Sequence, residues 1–332
     1  MERLAERKSN LTLVDTGRSQ ELEGMARQML SELVNIRTVN GKIGVELGLA
    51  LREADVVIIS SRTKLTAEVL DEMESCQLIV TTSVGFENVD VETTSSRHIR
   101  VANVPNYCIE EVADHTLGLL LALTRKIRLL NKLVEDGRWD QYSSVGQIPR
   151  LRGSILGIVG LGRIGTAVAI RAKVLGMEVL VYDPYVPPGK DRSIGVASVD
   201  FDSLLRRSDV ISMHVPLTNE TRHMISTQEF LRMKTGIFLV NTARGAVVDL
   251  KALVDALNSG KVAGAGLDVF EKEPPDPNDP LLHMHQVIVT PHTAYLSTSS
   301  ELDRQEMSVA EVGRFLRKER LRNLVDMKSH SP

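Results

Sequence analysis

The stretch of this 332-residue chain that most restricts its fold is residues 154–183. It opens with an apolar run, Ile155–Val159, which is typical of a strand buried on both faces of a parallel sheet. Three glycines follow in the spacing G-x-G-x-x-G, namely Gly160, Gly162 and Gly165. A helical pattern and a second apolar run, Val179–Tyr182, complete a strand–helix–strand unit that ends at Asp183.

Each part of this unit has a physical role. Gly160 permits a tight turn, Gly162 lets a pyrophosphate approach the backbone, and Gly165 lets the helix pack closely on the strand. The unpaired N–H groups at the start of the helix attract phosphates. Asp183, 18 residues after the last glycine, can bind a ribose diol and repels a 2′-phosphate. The unit therefore predicts a dinucleotide-binding domain that prefers NAD to NADP, against the plainer alternative of a glycine-rich turn without a ligand.

Length and composition limit what kind of protein this is. A chain of 332 residues exceeds one small core, so two domains are expected. The net charge of −3 argues against a dedicated nucleic-acid surface. The N-terminus lacks the apolar core of a signal peptide, and no apolar run reaches the roughly 18 residues of a membrane span. Cys76 and Cys108 form no C-x-x-C or Cys/His cluster, so we expect a reducing cytoplasm, no disulfide and no metal.

The rest of the chain alternates strand and helix patterns. Before the glycine motif, apolar runs predict a small parallel sheet, with helices at 21–33 and 45–53 and strands at 11–14, 35–39, 55–60, 78–82 and 101–103. Residues 110–133 suggest one long helix, and the following loop, 136–152, holds Trp139 as either a subunit contact or a local packing residue. Residues 296–332 are predicted to be helical. The later strands are predicted at 155–159, 179–182, 210–213, 237–241, 263–267 and 287–290.

Polar residues that follow buried strands are candidates for chemistry, because open α/β sheets bind ligands at the carboxyl ends of their strands. Arg244 can grip a carboxylate with two parallel hydrogen bonds, although an interdomain salt bridge is the alternative. Asp268 ends another strand, and Glu271 and Glu273 follow it; solvation is the alternative for both glutamates and is preferred for Glu271. His292 follows the next strand, where a neighbouring carboxylate would favour its protonated form and let it protonate a carbonyl oxygen.

Seven stretches carry a family resemblance, and they run in order from about residue 55 to the C-terminus. They are SVGFENVD at 83–90, NVPNYCIEEVADHT at 103–116, GIVGLGRIG at 157–165, HVPLTNETRHMI at 214–225, FLVNTARGAVVD at 238–249, GLDVFEKEP at 266–274 and TPHTAY at 290–295. Together they resemble the NAD-dependent D-2-hydroxyacid dehydrogenases. That family holds D-3-phosphoglycerate dehydrogenase, glyoxylate/hydroxypyruvate reductases and the C-terminal-binding-protein corepressors.

The resemblance implies the fold class and the partners. It implies two doubly wound parallel-sheet α/β domains, with a Rossmann NAD-binding domain inserted into a flavodoxin-like substrate domain. The substrate-binding domain would cover 1–104 and 296–332, and the NAD-binding domain 105–295. The expected partners are a small 2-keto or 2-hydroxy acid and a second copy of the chain, with no nucleic acid and no membrane. Dimerisation through the NAD-binding domain would account for segment 115–152.

Carried onto this sequence, the family's catalytic residues fall on Arg244, Glu273 and His292. The arginine would hold the keto acid, and the glutamate would orient and charge the histidine, which acts as the acid–base. The positions that would contact NAD are Gly160, Gly162, Arg163, Ile164, Gly165, Asp183, Val215, Pro216, Thr242, Ala243 and Asp268. Those that would contact the substrate or line its cleft are Val84, Gly85, Asn106, Thr116, Arg244 and His292.

The function so implied is the reversible reduction of a small 2-keto acid by NADH to the D-2-hydroxy acid. The alternative from another class is an NAD(H)-sensing binding protein like the corepressors, which keep the same triad. No long disordered tail offers a docking segment, which favours the enzyme. Glu273 argues against the formate-oxidising branch, which has glutamine there, whereas phosphite oxidation stays open. The N-terminal 50 residues match the family least, so the keto acid itself is not predicted.

Overall fold

The computed structural model describes residues 8–15, 19–40, 45–187 and 189–325. The chain divides into two compact units. Unit 1 comprises residues 1–107 and 297–332, and unit 2 comprises residues 108–296. The domain boundaries predicted from the sequence are 104/105 and 295/296, and the units of the structure divide at 107/108 and 296/297. Among the described residues, no helix is both long enough and apolar enough to traverse a bilayer.

Within its described residues, unit 1 contains a five-stranded sheet in which every strand runs parallel to its neighbours. The strands are β1 (Ser9–Asp15), β2 (Val34–Asn40), β3 (Val56–Ile59), β4 (Leu78–Thr81) and β5 (Arg100–Ala102). Their order is β2-β1-β3-β4-β5, the flavodoxin-like order that was predicted. The helices are α1 (Ser19–Leu30), α2 (Val45–Arg52), α3 (Ala67–Asp71), α4 (Val91–Ser96) and a C-terminal helix (Thr298–Leu316).

The predicted helix over 296–332 is too long. It ends at Leu316, because Lys318 adopts the left-handed conformation (φ 59°) and the Glu319 amide bonds back to the Arg314 carbonyl. The chain then returns to the sheet, where Leu324 forms an antiparallel bridge with Ala102 of β5. Helices α3 and α4 were not predicted, since five or six residues give too few turns for a helical period.

Unit 2 contains a seven-stranded parallel sheet within its described residues. The strands are β6 (Ile155–Val159), β7 (Glu178–Tyr182), β8 (Ala197–Ser198), β9 (Val210–Met213), β10 (Ile237–Asn241), β11 (Val262–Leu267) and β12 (Val287–Val289). The order β12-β11-β10-β9-β6-β7-β8 is the Rossmann order with one added edge strand, so the predicted fold class is confirmed. Two-residue β8 was missed because it has no apolar run, whereas the six predicted strands are confirmed.

The helices of unit 2 cover both faces of this sheet. They are α5 (Ile109–Thr124), α6 (Ile127–Glu135), α7 (Arg163–Val174), α8 (Lys190–Ile194), α9 (Phe201–Arg207), α10 (Thr227–Arg232), α11 (Leu250–Asn258) and α12 (Pro280–His283). Neighbouring residues of β6 enter different cores: Ile158 packs with α5 and α7, and Val159 packs with α9 and α11. Burying both faces explains the uninterrupted apolar runs of these strands.

The single long helix predicted over 110–133 is wrong. It is two helices, α5 and α6, because Lys126 takes a left-handed backbone conformation (φ 54°) that an α-helix cannot contain. The loop after α6 forms a 3-10 helix, Trp139–Val145. Trp139 is 73% exposed there, so the local packing role considered for it is wrong.

Candidate active site

The glycine loop between β6 and α7 has the geometry that its spacing predicts. Gly160 has a φ of 97°, and a Cβ on it would stand 2.7 Å from the His214 carbonyl oxygen. A Cβ on Gly165 would stand 2.1 Å from the Gly160 carbonyl oxygen, so only glycine lets α7 begin this close to β6. Gly162, the N-cap of α7, has open space around its missing Cβ. The start of α7 is therefore accessible to a ligand.

Asp183 lies directly after β7, beside this loop. Its Oδ2 accepts a hydrogen bond from the Leu161 amide (2.7 Å), and its Oδ1 accepts one from the Tyr185 amide (2.9 Å). These bonds fix the carboxylate against the glycine loop and leave lone pairs on both oxygens for a diol. Arg163 and Ile164 are the first residues of α7; Arg163 is exposed, and Ile164 packs partly into the core.

The loop after β9 and the loop after β10 carry the other positions assigned to the cofactor. Val215 lies against the glycine loop, 3.0 Å from a Cβ built on Gly160, and the Pro216 carbonyl accepts a hydrogen bond from Thr221 Oγ1 (2.6 Å). Thr242 and Ala243 begin the arginine loop, which we define as residues 242–247. Among these positions Thr242 is buried and Pro216 is exposed.

Two residues that sequence reasoning missed shape the arginine loop. The buried Asn241 donates from Nδ2 to the Arg244 carbonyl (2.8 Å) and accepts at Oδ1 from the Ala243 amide (3.0 Å). A Cβ on Gly245 would stand 1.9 Å from the Phe270 carbonyl carbon, so the loop passes in backbone contact with the segment before Glu273. A buried asparagine ending an apolar strand is the local signal that could have identified Asn241.

Glu273 and His292 form a direct pair. The His292 Nδ1–H donates to Glu273 Oε2 (2.6 Å), and the Phe270 amide donates to Glu273 Oε1 (3.0 Å). Burial alone raises the pKa of Glu273. The hydrogen bonds from His292 and Phe270 and the positive charge of Arg244 outweigh burial and hold the pKa of the Glu273 carboxyl below its ordinary value. Glu273 therefore stays ionised at neutral pH, and the bond at Nδ1 leaves His292 Nε2 as the nitrogen available to a ligand.

Asp268 holds the histidine loop, which we define as residues 290–294. Its carboxylate is nearly inaccessible and accepts hydrogen bonds from Thr290 Oγ1 (2.5 Å), the Thr293 amide (2.9 Å) and the Ala294 amide (2.9 Å). The Asp268 carbonyl also accepts from the His292 amide (2.8 Å). These bonds maintain His292 at a φ of 53°, a left-handed conformation that is rare outside glycine.

Comparison with known proteins identifies the family. Residues 117–294 match the family described as D-isomer specific 2-hydroxyacid dehydrogenase, NAD binding domain, which is more than half of the chain. The chain belongs to the D-isomer specific 2-hydroxyacid dehydrogenase family. The matched range lies inside unit 2, so unit 2 contains the NAD-binding domain of this family.

Named members of the family resemble the chain over most of its length. A D-3-phosphoglycerate dehydrogenase of Archaeoglobus fulgidus is 37% identical over 316 residues, which are 93% of this chain and 60% of the relative. A glyoxylate reductase of Korarchaeum cryptofilum is 40% identical over 282 residues, which are 83% of this chain and 84% of the relative. The chain thus spans about three fifths of the phosphoglycerate dehydrogenase that it matches.

A solved structure also supports membership of this family. The D-lactate dehydrogenase from Aquifex aeolicus, in complex with NAD and lactic acid, matches with a TM-score of 0.85 and 32% identity, over 95% of this chain and 98% of that one. The glycine loop of this chain fits the dinucleotide of such a domain, because the open space at Gly162 is where a side chain would obstruct a pyrophosphate. Among the described residues, no three His, Cys, Asp or Glu side chains are grouped as metal ligands.

Other positions that the family resemblance predicts for the site lie in unit 1. The carbonyl groups of Val84 and Gly85 accept from Asn103 Nδ2 (2.7 Å) and Ser83 Oγ (2.6 Å), whereas neither amide N–H has an acceptor among the described residues. Asn106 is exposed. Two neighbouring free amides suit a carboxylate.

The sequence-based expectation for Thr116 is wrong. Thr116 has no exposed surface, so it cannot line an open cleft; its hydroxyl bonds Thr242 Oγ1 (2.8 Å). Glu271 is exposed, as preferred from the sequence, and it also pairs with His223 Nε2 (3.3 Å) and accepts from the Leu250 amide (3.3 Å). In both cases the partner is far away in sequence, so no local pattern indicates it.

Proposed function

We propose that this protein interconverts a small 2-keto acid and its D-2-hydroxy acid with NADH and NAD. The observation that carries the proposal is the 2.6 Å bond between His292 and Glu273, in an NAD-binding domain where Arg244 lowers the pKa of the same glutamate. An acid–base histidine, an anion that stabilises its charged form and a cation for the substrate carboxylate are the groups that this reaction requires.

In the proposed mechanism, the Arg244 guanidinium binds the substrate carboxylate and polarises the carbonyl. His292 donates a proton from Nε2 to the carbonyl oxygen, because Nδ1 is committed to Glu273. When bound, NADH supplies the hydride that adds to the carbonyl carbon. In the reverse direction His292 removes the hydroxyl proton, and the ionised Glu273 stabilises the imidazolium that forms.

We infer that the substrate is a small acid with a free carboxylate. The free amides of Val84 and Gly85 support this, because two adjacent N–H groups can bind a carboxylate. The names of the related proteins point to glyoxylate, lactate and phosphoglycerate as the range of acids to test. Cys76 is a free, buried thiol, which agrees with a cytoplasmic location.

We also propose a homodimer formed through unit 2. Four large apolar residues of segment 127–142 are more than half exposed: Ile127, Val134, Trp139 and Tyr142. A cavity of about 410 Å³ in the same unit is lined by apolar residues, such as Leu123 and Phe238, and by cationic ones, such as Arg128 and Arg138. Exposed aromatic residues and arginines beside a depression of this kind are typical of subunit interfaces.

The test is NADH oxidation, followed by absorbance, with a panel of keto acids. The panel contains glyoxylate, pyruvate, hydroxypyruvate, phosphohydroxypyruvate and a branched-chain keto acid, with NADPH run in parallel. Turnover of one of them, with NADH preferred, would support the proposal. No turnover of any acid, with NADH still bound tightly, would refute it in favour of an NAD(H)-sensing protein.

His292→Ala is the variant that tests the mechanism. Loss of a positioned acid–base should lower kcat by about 10²- to 10⁴-fold, while NADH binding, measured by fluorescence titration, stays near the wild-type value. Glu273→Gln is the matched partner variant, because it keeps a hydrogen-bonding side chain and removes the charge. Undiminished turnover in His292→Ala would rule out the acid–base role of this histidine.

A further inference from the structure

Helix α5 lies close to the sheet of unit 2, in a fixed register with β11. A Cβ on Gly266 would stand 3.0 Å from Leu119 Cβ, and a Cβ on Gly264 would stand 3.3 Å from Leu123 Cδ2. A step of four residues along α5 therefore corresponds to a step of two residues along β11, and each of these steps is about 6 Å long. Because the helix runs opposite to the strand, the next pair in this register is His115 of α5 and Asp268 beyond the end of β11.

At His115, the next position of α5 in this register, the contacts between the helix and the sheet are polar and not apolar. Its Nε2 lies 2.9 Å from Thr290 Oγ1 and 3.8 Å from Asp268 Oδ1. The single hydroxyl hydrogen of Thr290 is donated to Asp268 (2.5 Å), so Thr290 accepts from His115, and Nε2 must carry a hydrogen. The result is a chain of hydrogen bonds from α5 through Thr290 to the carboxylate that holds the histidine loop.

The next residue of α5 makes the corresponding contact with the arginine loop. Thr116 Oγ1 donates to the Val112 carbonyl (2.7 Å), so the 2.8 Å contact with Thr242 Oγ1 has Thr242 as the donor. Both Thr116 and Thr242 are buried, and water does not compete for this bond. Thr242 precedes Arg244 by two residues, and Thr290 precedes His292 by two residues.

We propose that α5 positions the two loops of the candidate active site, with His115 holding the histidine loop and Thr116 holding the arginine loop. The proposal rests on the proposed function for its kinetic consequences only. His115 and Thr116 are positioning residues, since they act through Thr290, Asp268 and Thr242. Their role is to keep His292 Nε2 and the Arg244 guanidinium in one arrangement before the substrate arrives, which reduces the entropy lost in the reaction.

The first experiment measures amide hydrogen exchange of the substrate-free protein by mass spectrometry. His115→Ala should speed exchange in peptides of the histidine loop by about tenfold or more, and Thr116→Val should do so in peptides of the arginine loop. Thr124→Val is the matched control: Thr124 is buried in the same helix, but among the described residues its hydroxyl bonds only the Leu120 carbonyl (2.8 Å). His115→Gln keeps an N–H donor and should restore slow exchange.

The second experiment separates the two positioning roles by kinetics with a keto acid. His115→Ala should lower kcat by about tenfold to 100-fold with a small change in KM, because proton donation is misaligned. Thr116→Val should instead raise KM for the keto acid by about tenfold, because Arg244 is less well placed. His115→Gln should recover most of the lost kcat, which a purely structural defect would not predict.

The outcomes distinguish this proposal from the proposed function. If the wild type turns over no keto acid, the proposed function fails, and the loop-specific exchange still supports the positioning role. If His115→Ala and Thr116→Val exchange like Thr124→Val, or if each loosens both loops equally, the positioning role is refuted whatever the activity. Equal melting temperatures of Thr116→Val and Thr124→Val, with exchange differing only in the arginine loop, would be the strongest support.

Discussion

Gly245→Ala tests whether backbone contact between two loops holds the candidate catalytic residues together. The Cβ that this variant adds would stand 1.9 Å from the Phe270 carbonyl carbon and 2.4 Å from the Glu271 amide nitrogen. Nonbonded carbon atoms pack at about 3.5 to 4.0 Å, so one loop must move by about 1.5 to 2 Å. Both contacts are with main-chain atoms, which cannot rotate away as a side chain could. The displaced loop carries either Arg244 or Glu273.

The expected losses follow from that displacement. Overpacking of this kind costs about 1 to 3 kcal/mol of unfolding free energy, and a shift of about 1 Å at the reacting groups lowers turnover about 100-fold. Urea unfolding and keto-acid reduction by NADH measure the two effects. Gly24→Ala in α1 is the control, because its Cβ meets nothing within 4 Å and should stabilise the helix by about 0.5 to 1 kcal/mol. A Gly245→Ala protein as stable and as active as the wild type would refute the reasoning.

Three further predictions concern single residues of unit 2. His214 is only partly exposed, and burial lowers its pKa to about 4. In the unfolded chain the same histidine has a pKa of about 6.5, so as the pH falls the unfolded chain takes up the proton before the folded protein does. The free energy of unfolding should therefore decrease by roughly 3 kcal/mol between about pH 6.5 and about pH 4. Urea unfolding of His214→Gln should lack this pH dependence, and an unchanged slope would contradict the assignment. Trp139→Ala should shift a dimer towards monomer in sedimentation velocity, and an unaltered dimer would exclude this residue from the interface. Asp183→Ser should raise KM for NADH by about tenfold and narrow its advantage over NADPH; an unchanged ratio would contradict the ribose contact.

Local patterns were sufficient to predict the sheets. Each core strand of unit 2 is a mainly apolar run, because both of its faces are covered, and such runs are visible without any knowledge of partners. The glycine motif was equally readable, since all three of its glycines stand in one short stretch: Gly160 takes a positive φ, Gly165 packs on Gly160, and Gly162 leaves open space for a ligand. The break between α5 and α6 at Lys126 could not be predicted from the sequence, because the apolar residues of the two helices continue one helical pattern across it.

The contacts that position the candidate active site could not be predicted in this way. His115 and Thr290 are 175 residues apart, and Thr116 and Thr242 are 126 apart. Neither pair lies in a repeating pattern, so only the packing of α5 on the sheet brings them together. The same holds for Gly245. Its sequence neighbours give no indication of Phe270, and glycine is required only because the backbone at Gly245 contacts the backbone at Phe270 in the folded protein.

Asp268 and Glu273 show why composition at a site does not decide what each residue does. Both are carboxylates that follow β11, five residues apart, and the sequence alone made both candidates for chemistry. Asp268 is 2% exposed and has three protein donors around its two oxygens, so its charge maintains the backbone of the histidine loop. Glu273 is partly exposed and uses one oxygen on a backbone amide and the other on His292. When His292 gains or loses a proton in the proposed reaction, the charge of the imidazole that is hydrogen-bonded to Glu273 changes, whereas the donors to Asp268 keep their positions. Glu273 can therefore respond to the proton transfer because Asp268 holds the backbone of the histidine loop in one conformation.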